Sequence, residues 1–203
     1  MDDIVKQAMA KWPNVPNCYG WLRLDARGSW RMRDERAQAL QLPGDKIGNP
    51  VLLNFICRNY THDERGQWYF QNGPQRVYVD LEVTPFIART DPALGFVLHT
   101  GKALLTIQTA WMTEQGQLVL QSGELVALLD DRDLAPCIEH LRLDGRPVDD
   151  EQLLSWLNAN NAEENGMTWH TPNGPAPVKR IFSGQLAEQF GFVQRPQSPQ
   201  KPL

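Results

Sequence analysis

The clearest alternation of apolar and polar positions runs through residues 67–85, QWYFQNGPQRVYVDLEVTP. Val77, Val79, Leu81 and Val83 fall on one side of a period-two pattern, and Arg76, Tyr78, Asp80 and Glu82 fall on the other. That is the mark of a half-buried strand. Trp68, Tyr69 and Phe70 predict the strand before it. Asn72-Gly73 predicts the joining turn, because both residues tolerate positive φ. Residues 21–33, WLRLDARGSWRMR, read as a second hairpin, with Asp25 opening the turn and Gly28 supplying a left-handed residue. The same turn chemistry returns at Asp63-Glu64-Arg65-Gly66 and at Thr113-Glu114-Gln115-Gly116. The spacing is irregular, so this is recurrent turn geometry and not a propeller or solenoid. Four more strands are expected over residues 95–100, 103–112, 117–121 and 124–129, and their short polar turns imply antiparallel neighbours.

A different period marks the helices. In residues 2–12, Ile4, Val5, Ala8, Met9 and Trp12 share one face at helical spacing. Residues 34–42 predict a short helix ended by Pro43-Gly44. Asn49 and Pro50 open a better one that runs to Tyr60. Asp133 can cap a helix whose face carries Leu134, Cys137, Ile138 and Leu141. Asp149 and Gln152 form a capping-box pair at the start of a helix over residues 149–158. Residues 158–166 read as an acidic loop. Short strands are expected at 167–170 and 178–182, and Ser183 can cap a last helix closed by Gly191. The sum is an α+β fold: a mainly antiparallel sheet built from hairpins, with packed helices. The expected division is a β-rich core over residues 1–130 with an inserted helix at 50–60, a smaller α/β part over 131–193, and a mobile tail over 194–203.

Charge and composition narrow the function classes. The net charge is −4, which counts against a general nucleic-acid or anionic-membrane binder. No apolar run is long enough for a membrane span. The N-terminal residues, MDDIVKQAMAKW, have no apolar core of a secretory signal. Three widely spaced cysteines, an odd number, make a disulfide framework improbable and a reducing cytoplasm the default.

Local signals for chemistry are sparse. The four histidines form no H-x-H or HExxH pair, and no cysteines have C-x-x-C spacing, so no metal is expected. Phosphate loops and dinucleotide fingerprints are absent, so no cofactor is expected either. Ser122 and Ser183 do not sit in a nucleophile elbow. Cys18, in a Pro- and Asn-rich stretch beside Tyr19, is the one candidate for a reactive thiol, but no base is placed near it. The acidic clusters at residues 130–133 and 149–151 sit where helices begin, which explains them electrostatically.

The remaining signal is an arginine–aromatic surface. Arg23, Arg27, Arg31 and Arg33 accompany Trp21 and Trp30 on the first hairpin, and Arg65, Arg76 and Tyr78 lie in the central one. Adjacent hairpins would join Arg31, Arg33, Arg76 and Tyr78 into one patch, suited to an anionic partner. The competing reading is a solvated face with cross-strand pairs, since Asp80 and Glu82 share the parity of Arg76.

Residues 59–85, NYTHDERGQWYFQNGPQRVYVDLEVTP, with LLDDRDL at residues 128–134, resemble a proteobacterial family of uncharacterised cytosolic proteins. The resemblance covers most of the chain apart from the tail, and it implies no activity, substrate or catalytic residue. The functional expectation is a non-enzymatic binding or accessory protein of the bacterial cytoplasm, with an unknown protein or a small anionic ligand as partner and its oligomeric state open. The alternative is an enzyme assembled from dispersed groups such as His99 or His170 with an acidic neighbour.

Overall fold

The computed structural model describes residues 1–158, 166–171 and 173–198. The expected acidic loop at 158–166 lies almost wholly outside them, as do the last five residues. The fold is α+β, with two mixed sheets in two compact units. The first unit is Met1–Pro85 with Gly191–Leu203, and the second is Phe86–Phe190.

The first unit runs α1 (Asp3–Lys11), β1 (Cys18–Leu24), β2 (Trp30–Met32), α2 (Glu35–Ala39), β3 (Asp45–Lys46), α3 (Pro50–Arg58), β4 (Tyr60–His62), β5 (Trp68–Asn72) and β6 (Gln75–Leu81). Its sheet order is β3-β2-β1-β6-β5-β4. Asn49 caps α3 as expected, its side chain accepting from the N–H groups of Val51 and Leu52. Leu22, Leu24, Trp30, Ile56, Phe70, Val79 and Leu81 are buried, and Phe55 of α3 meets Phe70 of β5 edge to face at 5.3 Å.

The second unit runs β7 (Phe86–Asp91), β8 (Gly95–Leu98), β9 (Thr109–Thr113), β10 (Leu118–Ser122), β11 (Leu125–Leu129), α4 (Leu134–Ile138), β12 (Leu141–Leu143), β13 (Arg146–Pro147), α5 (Asp150–Asn158), β14 (Met167–Thr171), β15 (Gly174–Ile181) and α6 (Leu186–Phe190). Its sheet order is β13-β12-β14-β15-β9-β10-β11-β7-β8. One apolar cluster, with Leu98, Met112, Leu118, Leu120, Leu141 and Trp169 among its most buried members, forms its core. The capping box holds: Gln152 N–H donates to Asp149, and Asp149 N–H donates to the Gln152 side chain.

The three recurrent turns share one geometry. Gly28, Gly66 and Gly116 each donate N–H to the carbonyl of the residue three before, with φ between 71° and 76°. In each, the Asp25, Asp63 or Thr113 side chain also accepts the N–H four residues on.

Several expectations are corrected. Neighbouring strands are mainly antiparallel, but β1 pairs with β6, β7 with β11, and β9 with β15 in parallel. These pairings join segments distant in sequence, and no local turn encodes them. For the same reason no break falls at residue 131: β15 is hydrogen-bonded to β9, and the division comes after Pro85. Asn72 pairs with Gln75, so the central turn residues are Gly73 and Pro74, with the positive φ on Gly73 alone. Ser183 caps nothing with its side chain; its N–H and hydroxyl both donate to Glu114.

The start of the expected tail is also ordered. Val193 bridges Gln67, the N–H of Leu81 donates to the Gln194 carbonyl at 2.8 Å, and Pro196 is buried. β5 ends its pairing with β6 at Tyr78, so this segment takes the strand position that β5 leaves. It enters beside Gly66, where an added Cβ would stand 2.0 Å from the Gly191 carbonyl oxygen.

Candidate functional site

The six-stranded sheet gives its polar parity one face. Arg23 lies opposite both Arg31 and Asp80, and Arg31 lies opposite Lys46. Two residues along β6, Tyr78 lies opposite Tyr69, and Arg76 opposite Gln71. Arg23 and Arg31 of the first hairpin and Arg76 and Tyr78 of the central one therefore share a face. That adjacency depends on the parallel β1–β6 pairing.

The face divides into two ends. At the β1–β2 end the arginines are spent on the protein itself. Arg31 donates to Asp25 at 2.7 Å and to the Gly44 carbonyl at 3.1 Å. Arg23 pairs with Glu82 at 2.9 Å. Arg33 is not on the surface: it is 4% exposed and donates to Asp80 at 2.6 Å, with a longer bond to the Ala37 carbonyl. Burial pushes the Asp80 carboxyl up, against the opposing pull of Arg33, Arg195 and Arg23. The register forces this arrangement, because β1 and β2 carry their arginines onto the strand that carries Asp80.

At the other end Arg76 and Tyr78 sit in an aromatic cluster. The Arg76 guanidinium lies 4.7 Å over the Tyr69 ring, near the Tyr78 phenol. Tyr78 in turn donates to Asp63 at 3.1 Å. Tyr19 lies flat on Tyr78, with centroids 4.5 Å apart and planes 3° apart. Burial raises the Tyr78 phenol, so it stays protonated and donates. Burial alone would raise Asp63 too, but bonds from the Gln67 and Arg65 N–H groups and from Tyr78 hold it below the usual carboxylate range. Burial works against the charge of Arg76, yet Tyr78, Tyr69 and Asp63 strengthen it on balance. Among the described residues, no carboxylate lies within ion-pair distance of Arg76.

Tyr19, Tyr69 and Asp63 were not read as site residues from the sequence. Tyr69 sits opposite Tyr78 across the central hairpin, and that signal was available. Tyr19 reaches the cluster only through the parallel pairing and a register shift between Cys18 and Leu22.

The other candidates are placed elsewhere. Cys18 opens β1, and burial raises its thiol, which disfavours the reactive thiolate. The His99 ring accepts the Ile87 N–H at 3.2 Å and lies against Phe86, while His170 is exposed on β14. Among the described residues, no three His, Cys, Asp or Glu side chains converge as a metal-ligand set. No helix among them is long and apolar enough to cross a membrane.

These features define an α+β protein with an arginine–tyrosine sheet face in its first unit. The chain belongs to the DUF2944 family, described as "Protein of unknown function (DUF2946)", whose family model matches residues 1–197. A search of curated proteins finds no match. Among solved structures, the chain is similar to the crystal structure of a DUF1285 family protein from Silicibacter pomeroyi DSS-3. The identity is 12% over 85% of this chain and 87% of that one, with a TM-score of 0.48.

Proposed function

We propose that this chain is a non-enzymatic binding or accessory protein of the bacterial cytoplasm, and that its contact surface is the arginine–tyrosine face of the six-stranded sheet. Of the four residues expected there, Arg31 and Arg33 hold the sheet together and Tyr78 is buried, 2% exposed, which leaves Arg76 to make the contact. The observation that carries this reading is the state of Arg76. It is half-buried on an aromatic platform, with Asp63 nearby but no carboxylate within ion-pair distance among the described residues. A cation held this way is pre-oriented for an anionic group on a partner.

Affinity capture with the purified chain, followed by a direct binding measurement on the recovered partner, tests the reading. Arg76→Ala should weaken binding by tenfold or more, about 1.4 kcal/mol or above. Arg23→Ala, at the other end of the face, should change it little. Binding that is indifferent to Arg76→Ala would remove this surface from consideration.

A further inference from the structure

The last described segment is a strand that belongs to a sheet far behind it in sequence. α6 ends at Phe190, Gly191 turns the chain at a φ of 65°, and residues 192–196 then lie in the first unit. There Val193 bridges Gln67 in parallel and donates its N–H to the Gly66 carbonyl at 2.9 Å. The Gln194 carbonyl accepts the Leu81 N–H, and the Gln194 side chain donates to the Val83 carbonyl at 3.3 Å. Phe192 is 5% exposed, and Pro196 is buried as well. Two backbone bonds thus set the strand in a slot beside β6, and a buried side chain anchors each end of it. Without an occupant, the Leu81 N–H and the Gly66 carbonyl would form an open sheet edge, a template for another chain.

From this arrangement we infer that the slot also takes residues 192–196 of a second copy of the chain, in a two-fold dimer formed by reciprocal exchange. The occupant is a second copy because this is the segment the slot is seen to hold. A strand given by another copy remakes each of these bonds unchanged, so the two arrangements share one set of contacts. What separates them is the hinge. In the closed chain it is a single residue, Gly191, held left-handed between a helix and a strand. A short, sharply turned hinge invites exchange, because opening it removes the turn. Glycine takes the left-handed turn readily, so the native chain is mainly closed and the exchanged dimer is its minor, concentration-dependent form. The inference is independent of Arg76 and the contact face.

Two full-length variants locate the exchange. Gln67→Cys is mixed with Val193→Cys, held at high concentration and oxidised. Residues 67 and 193 are bridge partners, so the introduced thiols meet only when the strand of one copy lies in the slot of the other. The expected result is a disulfide between these two positions, identified by peptide mass spectrometry, in the mixture and in neither chain alone. Size-exclusion chromatography with light scattering then reads the hinge. Gly191→Ala adds a Cβ that meets no atom within 4 Å, so it acts through the turn alone. It should raise the dimer association constant about tenfold or more, because both hinges of the dimer are relieved. Gly66→Ala crowds the slot in either arrangement and should not raise it. A mixture without the disulfide, a Gly191→Ala chain that stays monomeric, or an equal rise from Gly66→Ala would overturn the exchange.

Discussion

The two units bury different things. The second unit closes over a continuous apolar cluster, and among the described residues its buried polar ones are Thr113 and Asp130. The first unit buries Asp25, Arg33, Asn59, Gln67, Gln71 and Thr84 along with its apolar residues. The contrast is sharpest in one Arg–Asp pair from each. Asp130 meets Arg132 two residues away within a single turn, and the Arg132 guanidinium, with the Arg132 N–H, holds its carboxyl down at about 2. Asp80 meets Arg33 from a distant strand, and there burial prevails and the carboxyl is raised. A local pair keeps its arginine in water. A pair enforced by sheet register takes both charges out of it, and desolvation then outweighs attraction.

The largest expected effect is on that enforced pair. Arg33→Met leaves Asp80 buried without its partner and should destabilise the chain by about 3–5 kcal/mol. Arg33→Met with Asp80→Leu should recover most of the loss in denaturant unfolding. A double variant no better than the single one would mean that the arginine packs rather than pairs. In the second unit, Leu120→Ala empties a fully buried position and should cost about 2–5 kcal/mol, read the same way. Gly66→Ala places a methyl against the Gly191 carbonyl at a φ of 71° and should cost about 2 kcal/mol. It should also speed amide exchange at Val193, whose N–H bonds to the Gly66 carbonyl. Unchanged exchange there would mean that the C-terminal segment is held by other contacts.

The two carboxylates also separate by pH. Asp130 has a folded pKa of about 2, below its ordinary 3.8. It therefore contributes stability that is fully present above pH 3.8 and is lost as pH falls through about 2. Asp80 is raised in the folded state, so its contribution is full at low pH and is lost as pH rises through its folded value. Acid unfolding of wild type against Arg132→Ala should show the two converging toward pH 2, while Asp80→Asn should flatten the opposite slope. Parallel curves for either comparison would contradict these assignments. The smallest effect is at Tyr19. Removing a hydroxyl without a partner should change stability by less than about 0.5 kcal/mol, whereas Tyr78→Phe loses its bond to Asp63 and should cost about 1 kcal/mol.

What was legible in the sequence follows the same division. The α3 cap at Asn49, the Asp149–Gln152 box and the three glycine turns are local, and each has the expected geometry. The period-two parity of β6 also holds, which places Arg76, Tyr78 and Asp80 on one face. The parallel pairings did not show, because nothing near β1 in sequence specifies β6 as its neighbour. That omission hid two things. Arg33 read as part of an open patch although Asp80 was waiting to bury it, and Tyr19 carried no sign that Tyr78 was its stacking partner. The short strands β3, β12 and β13 were missed as well; each is held by neighbours and carries too few residues to show a period.

The central claim is that one sheet face holds arginines of two kinds, structural at Arg33 and available at Arg76. Equilibrium unfolding of Arg33→Ala and Arg76→Ala, measured side by side, tests it most directly. The account predicts a loss of about 3 kcal/mol or more for Arg33→Ala and about 1 kcal/mol or less for Arg76→Ala. Equal losses, or the larger loss at Arg76, would contradict it.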